Sequence, residues 1–439
     1  MFSFYIQLLD WIKFGVPSIF VLYYIFTWVH WLIRAIPSIF FKPNVDKYSS
    51  NLKTSVIIPV VDEEPVVFAR VIKSIVEEKP DQIIVVINGP RNIELEKICK
   101  DYQVKYDWIE KSGKRKAIDR GISLTNNAII VLVDSDTIWT GNTLKYLVNE
   151  FSNNDVGGTT AKQRVLNNLS IIGWFADVGE RLRNSLTFKS MSVFGQVGCL
   201  PGRTFAMRRE IYTNYQDKFL NEKFFGVFKE YSDDRTLTNY ILKSGYKTTY
   251  AYSSLVYTFA PKTWKQYYKQ QLRWARGGQY NNLRMFWFYV THKLYLGYMF
   301  TVDMLIPMLY VSVVINFLIN LTKSDNYKPS VFDYSNVSLL VTFIIIGAII
   351  STGLRLILVM EKFSDWLKIP LYLIISGFFI TPIRLYGFAT MLANSNWETR
   401  KNGYSRAENF NLIKFVPLLI LTTIILSLVT IFQYTHTGI

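Results

Sequence analysis

The stretch AIIVLVDSDT, residues 128–137, decides the fold: six apolar residues, four of them β-branched, end abruptly in Asp134, Ser135 and Asp136. A short apolar run without alternation is the pattern of a strand buried on both faces, as in a parallel sheet. Two similar runs precede it, TSVIIPV at 54–60 and QIIVVI at 82–87. Helical periodicity separates the runs over 66–77, 94–102 and 114–124. This approximates a β-α-β-α-β order and predicts a doubly wound sheet. Ligands of such sheets collect at the carboxyl ends of the strands. The candidates are therefore Asp62 and Glu63 after the first strand, Asn88 after the second, and Asp134 with Asp136 after the third.

Two carboxylates at one strand end can hold a divalent cation that also takes a diphosphate, offsetting charge on a leaving group. GKRKAID at 113–119 sets a glycine and three cations at a helix start, a place to hold a phosphate or nucleotide. A second acidic pair, Asp233 and Asp234, stands in SDDRTLTN at 232–239, in a chain with only 33 acidic residues among 439.

Outward from this region the composition, 50% hydrophobic and 16% aromatic, is too apolar for a purely soluble enzyme. The apolar residues concentrate at 14–41 and 294–434, which predicts membrane segments at both ends. The first run lacks a small-residue cleavage site and is expected to stay as an anchor. The net charge of +16 is scattered over the middle region and the membrane-proximal loops, with no basic helix or tail. That distribution fits cytoplasmic flanks of membrane spans and argues against nucleic acid. Cys99 and Cys199 are the only cysteines, and His30, His292 and His436 are far apart. A disulfide scaffold and a soft metal site are excluded, so any metal is expected on oxygen ligands.

WKQYYKQQLRWARGGQYNNLRMFWFY, 264–289, mixes rings and cations and is expected at the membrane surface. Spans are expected at about 295–319, 335–358 and 415–433; a fourth apolar segment, 369–393, contains Pro382 and Arg384. The positive-inside rule puts the loop 394–414, with Arg400, Lys401, Arg406 and Lys414, on the same side as 361–368. Both loops share a side only if 369–393 does not cross. It is therefore expected to be a re-entrant or surface-lying helix pair broken at Pro382, leaving four crossings and both termini outside.

SVIIPVVDEEP, GKRKA, VDSDT, VGCLPGRTFAMRRE, SDDRTLTN, QQLRW and WETR, in this order, resemble the membrane-embedded processive family 2 glycosyltransferases, from Ser55 to Arg400. Within that group IIVVINGP, VGCLPGRT, SDDRTLTN and QQLRWARGGQYNNLRM look most like the type 3 capsular polysaccharide synthases, and next like the hyaluronan synthases. The resemblance implies an α/β GT-A domain, a Rossmann-like mixed sheet, inserted between α-helical transmembrane segments. Its implied divisions are an N-terminal transmembrane anchor (1–45), a cytosolic GT-A domain (46–260), amphipathic interface helices with the Q-x-x-R-W signature (261–292) and a channel region (293–439). It implies processive, inverting polymerisation of UDP-glucose and UDP-glucuronic acid into a capsular polysaccharide, secreted through the enzyme's own channel. UDP-N-acetylglucosamine with UDP-glucuronic acid is the alternative pair. The implied partners are UDP-sugar donors, the growing polysaccharide and membrane lipid, with one chain as the working unit in the plasma membrane.

Carried over by position, the resemblance assigns Asp134 and Asp136 to Mg²⁺ or Mn²⁺ and nucleotide, and Lys114 and Arg115 to the uridine side. Asp62 and Glu63 match the family's Asn-Glu after the first strand. Asp234 falls at the general base, with Asp233 tuning it. Gln270, Arg273 and Trp274 match the acceptor-site signature, and Trp397, Thr399 and Arg400 the loop that closes over the diphosphate. Three departures stand out. Asn88 replaces an Asp, Glu398 replaces the Gly of W-G-T-R, and Lys162 stands where hyaluronan-type sequences often carry an acid. Lys162, Arg164, Arg203 and Arg208 offer positive charge for a uronate. Two further readings stay open, a single-sugar transferase acting on a lipid carrier and a non-enzymatic transporter or receptor. The signature and the WETR loop argue against the first, and acids at strand ends against the second.

Overall fold

A computed structural model describes residues 16–44, 52–322, 334–392 and 412–437. Strands β1 (Thr54–Val60), β2 (Gln82–Asn88), β3 (Lys105–Ile109) and β4 (Ile129–Val133) lie parallel in the order β3-β2-β1-β4. The three apolar runs are all present and almost fully buried. The sequence KYDWI of β3 was not among the expected strands, and DSD consequently follows the fourth strand instead of the third. An edge strand with one bonded neighbour and half-exposed side chains carries no continuous apolar run to betray it.

Helix Pro65–Val76 turns Phe68, Val71, Ile72 and Ile75 onto one face of the sheet, the 3.6-residue spacing of an amphipathic helix. Helix Lys114–Ser123 covers the other face with Ala117, Ile118 and Ile122.

Past β4 the sheet stops being doubly wound. β5 (Ile138–Trp139) is a two-residue strand, β6 (Val156–Val165) comes next in the chain, and β7 (Thr204–Arg208) inserts antiparallel between β4 and β6. A separate hairpin pairs β8 (Lys223–Phe224) with β9 (Val227–Phe228). β10 (Lys247–Thr258) then runs parallel to β6 and antiparallel to β5 at the far edge. The mixed, eight-stranded result is the GT-A arrangement. Its functional consequence is local: Val133 pairs with Thr204, so the residues before β7 meet the residues after β4.

The signature stretch forms one continuous helix, Trp264–His292, started by a capping box between Thr263 and Gln266. By length and apolarity, three stretches among the described residues can cross a membrane: Leu294–Asn316, Ile369–Ala389 and Leu412–Ile431. The third of the expected spans thus has its helix, and the described part of the second contributes the shorter Ile345–Leu356.

Pro382 does not break 369–393 into two helices. Ile369–Ile374 passes through a π-helical turn, Ile375–Ile380, straight into Thr381–Ala389. The proline sits in the first turn after the π segment, and the Thr381 hydroxyl donates to the Ser376 carbonyl at 2.9 Å. The hydrogen-bonding deficit that normally stops a helix at proline is absorbed there.

Candidate active site

The carboxyl end of β4 delivers Asp134 into a cleft closed by three other segments. Lys114, first residue of its helix, places its ammonium 2.7 Å from Asp134 Oδ1 and 3.1 Å from Asp233 Oδ2. One half-buried cation therefore joins Asp134 at the strand end to Asp233 of the second acidic pair. Burial works against the Lys114 charge, but Asp134 and Asp233 outweigh it and hold the ammonium protonated above the ordinary lysine range. Burial likewise opposes the Asp134 charge, yet Lys114, with Arg273 and Arg203 beyond it, keeps that carboxyl below the usual range. Ser135 donates to Glu63 Oε2 at 2.8 Å and brings the loop after β1, with Asp62, against the same strand end. Asp136 lies within electrostatic reach of Arg203.

The acidic pair starts helix Asp233–Lys243, where the positive end of the helix dipole favours negative charge. The two acids have different surroundings. Asp233 faces Lys114, while Asp234 Oδ1 accepts from the backbone N–H of Arg235 at 2.7 Å and Oδ2 from that of Gly202 at 3.1 Å. Burial, and then repulsion from Asp233, pushes the Asp234 carboxyl above the ordinary range, against the pull of Lys114 and those two N–H groups. Gly202 reaches it because β7 starts beside the end of β4. A Cβ on Gly202 would stand 3.1 Å from the Lys114 ammonium and 3.5 Å from Asp134, so a side chain there would crowd the cleft.

Two expected nucleotide ligands face elsewhere. Arg115 is 1% exposed and is spent on the interior: it pairs with Glu222 at 2.9 Å and bonds the carbonyls of Phe219, Glu230 and Tyr231. Neighbouring helical residues point about 100° apart, so with Lys114 in the cleft Arg115 cannot share it. Its effect on the site is indirect, since it anchors the segment that leads into Asp233. Asn88 is fully buried; its amide donates to the Val60 carbonyl and its oxygen accepts from the Gly113 N–H. It joins the ends of β1 and β2 to the start of the Lys114 helix and offers no open edge to a base.

On the signature helix Arg273 lies within reach of Asp134, and Trp274 is 37% exposed beside the cleft. Gln270 is one turn earlier on that helix and half-buried. The Arg203 guanidinium lies 5.5 Å from the Trp274 ring and is held from behind by Gln163 and Glu180. Of the four cations offered to a uronate, Arg203 alone reaches this cleft. Arg164 is locked onto Asp177 and Glu361, Arg208 bonds the Val156 carbonyl, and Lys162 lies over the Tyr252 ring. Trp397, Glu398, Thr399 and Arg400 lie outside the described residues.

The sequence reading gave no role to Glu180, Gly202 or Glu222. Glu222 pairs with both Arg115 and Arg284, tying the Lys114 helix to the signature helix. Pro201-Gly202 is a turn signal, but nothing in it names Asp234 as its neighbour.

The model of the glycosyltransferase-like family 2 matches residues 51–277, just over half of the chain. The chain belongs to glycosyltransferase family 2. Similar curated relatives of this glycosyltransferase include a probable glycosyltransferase, YdaM, of Bacillus subtilis, 27% identical over 266 residues, 55% of this chain and 59% of the relative. An N-acetylglucosaminyltransferase of Rhizobium meliloti is 29% identical over 238 residues, 50% of this chain and 54% of the relative. The chain thus spans little more than half the length of these two. A hyaluronan synthase of Streptococcus pyogenes is 22% identical over 374 residues, 82% of this chain and 85% of the relative. Among solved structures, a mannosyltransferase of Pyrobaculum calidifontis in complex with GDP-mannose and Mn²⁺ superposes with a TM-score of 0.55 at 14% identity. It covers 84% of this chain and 99% of its own, a likeness of GT-A fold.

Proposed function

We propose that this family 2 glycosyltransferase is a processive, inverting polysaccharide synthase that alternates UDP-glucose and UDP-glucuronic acid and passes the polymer through its own membrane helices. The observation that carries the reading is one cleft in which Lys114 links Asp134 to Asp233 while Asp234, its proton affinity raised, is aimed by the Gly202 N–H. In the proposed reaction the acceptor hydroxyl oxygen bonds to the donor's anomeric carbon as the bond to the diphosphate breaks. Asp234 takes the hydroxyl proton, UDP departs, and the configuration inverts without an enzyme-bound sugar. Lys114 meets growing negative charge, and Trp274 stacks on the acceptor ring.

Asp136 and Asp134 are the residues to hold Mg²⁺ or Mn²⁺. Hard oxygen donors suit these ions, and no group of three or more acidic, His or Cys ligands exists among the described residues. A pair of carboxylates fits an ion whose remaining positions are filled by water and substrate phosphate. Bound there, it would offset charge on the departing diphosphate. Arg203 and Arg273 give the cleft positive charge to meet a uronate. The hyaluronan reading, with UDP-N-acetylglucosamine in place of UDP-glucose, is favoured by the 82% coverage against the streptococcal hyaluronan synthase.

The test is UDP release and polymer size from purified enzyme given each UDP-sugar singly and in pairs, with Mg²⁺ or Mn²⁺ and with EDTA. Polymer is expected only from UDP-glucose with UDP-glucuronic acid, and none in EDTA. Polymer from the N-acetylglucosamine pair alone selects the second reading, and polymer from one sugar alone removes both.

A further inference from the structure

Four membrane-side helices bring charged groups together, with Arg355 in the last turn of Tyr334–Leu356. Asp303 stands nine residues into Leu294–Thr322, ~13 Å along the helix axis. Its Oδ1 meets His30 Nε2 at 3.2 Å and Arg34 at 3.3 Å, both from Val16–Ile39. Arg384, from Ile369–Ala389, lies within electrostatic reach of Asp303. Arg355, from Tyr334–Leu356, lies over the Trp28 ring at 5.8 Å and is within reach of Arg34 and Tyr23. Tyr372 feels both Arg384 and Arg355, joining the two. The cluster sets three guanidinium groups against one carboxylate. Among the described residues neither Arg355 nor Arg384 has an acidic partner at ion-pair distance.

Charge of this kind inside apolar helices is costly unless it faces water, a polar ligand or an opposite charge. One of these helices, Ile369–Ala389, also packs on the signature helix beside Trp274. Arg384 lies one turn before Gly387, and Gly387 packs so closely on Ala275, the residue after Trp274, that an added Cβ would come within 2.5 Å of the Ala275 side chain. Rings and hydroxyls accompany the cations: Tyr23 packs by Tyr310 at 6.2 Å, and Trp28 donates to the Ser351 hydroxyl.

We propose that Arg384, Arg34 and Arg355 form a cationic receiving site for the carboxylates of an acidic polysaccharide as it moves from Trp274 between the membrane helices. The inference rests on the proposed polymerisation and adds where, after the chemistry, the polymer's charge is met. A chain with a carboxylate on alternate sugars can engage cations strung out over several helices. A lipid phosphate is a single point of charge and needs only one of them.

The experiment uses the full chain in vesicles of phosphatidylcholine, and of phosphatidylcholine with phosphatidylglycerol, supplied with UDP-glucose and UDP-glucuronic acid. Polymer length per UDP released is compared for wild type, Arg384→Gln, Arg384→Lys and Arg355→Gln. Arg384→Gln is expected to shorten the polymer by about tenfold in both vesicle types, the effect on affinity of losing one charge-assisted hydrogen bond, and Arg384→Lys to recover most of the length. Arg355→Gln is expected to shorten it in the same direction. Unchanged length per UDP overturns the proposal. So does shortening confined to phosphatidylglycerol vesicles, which identifies a lipid headgroup site. So does shortening that Lys does not recover and that comes with a lower unfolding temperature, which marks a structural arginine. Wild-type polymer formed without UDP-glucuronic acid fails the uronate reading before any variant is compared.

Discussion

At the scale of single residues, the proposal gives the two adjacent acids opposite jobs. Asp234→Asn should keep UDP binding and lose polymer synthesis by roughly 10² to 10⁴-fold, the usual effect of removing a general base. Near-normal turnover would transfer the role to Asp233. The sign of the pH dependence follows from the raised Asp234 proton affinity, whose causes are burial first and Asp233 second. The working form is deprotonated, so kcat should fall as pH drops through a value above the ordinary carboxylate range. Asp233→Asn removes the repulsion and should move that acid limb to lower pH; a limb that stays put or rises contradicts the coupling. Both aspartates were legible because acids placed side by side after a tyrosine-serine are conspicuous in a chain poor in acids. Arg115 and Asn88 were misplaced for a different reason. Their residue types suit a ligand, but a one-position step around a helix and a pair of backbone hydrogen bonds turn them inward. Glu222 was unreadable because its partners Arg115 and Arg284 are distant in sequence, and Glu180 because only Arg183 of its two arginines is near it, while Arg203, the one that reaches the site, is not.

At the scale of elements, the start of the acid-bearing helix is set by a close approach. Ser232, its N-cap, adopts the left-handed conformation with φ of 67°, a position that costs a non-glycine residue energy and needs support. Gly277 of the signature helix supplies the room: a Cβ there would stand 2.9 Å from Ser232 Cβ and 3.0 Å from its hydroxyl. Gly278, next along, would meet only the Arg235 guanidinium at 3.5 Å. Gly277→Ala is therefore expected to destabilise by about 1–3 kcal/mol and to lower kcat by disturbing Asp234, while Gly278→Ala is tolerated. Thermal unfolding and turnover measured on both variants check this, and equal effects would refute it. The paired glycines in ARGGQ were visible in the sequence, but which of the two a neighbouring backbone requires was not. The same limit applies to the sheet. Buried parallel strands announce themselves by apolar runs, whereas the antiparallel β7, which carries Gly202 to Asp234, follows a long helical insertion and is recognisable only from its pairing with β4.

At the scale of the whole molecule, the decisive segment is Ile369–Ala389, long and apolar enough to cross a membrane and here an unbroken helix. Its two flanks nevertheless hold the same catalytic domain. Before it, Glu361 pairs with Arg164, and Asp365 with Arg181 and the Trp174 indole. After it, the Met391 carbonyl accepts from the buried Lys229 ammonium at 2.8 Å and from the Tyr231 hydroxyl. Between those points Phe379 stacks on Tyr267, Gly387 packs on Ala275, and Thr390 accepts from Arg276, so the helix runs alongside Trp264–His292. A helix with both flanks bonded to one domain has no flank left for the opposite side of a bilayer. This supports the proposal that 369–393 does not cross and that the loop carrying Arg400 shares the catalytic compartment. Single cysteines, Lys362→Cys and Asn402→Cys, in a background without Cys99 and Cys199, are expected to resist an impermeant thiol reagent in intact cells and to react after permeabilisation. If Asn402→Cys reacts from outside while Lys362→Cys does not, the segment crosses, and Arg400 is separated from the diphosphate it is proposed to cover.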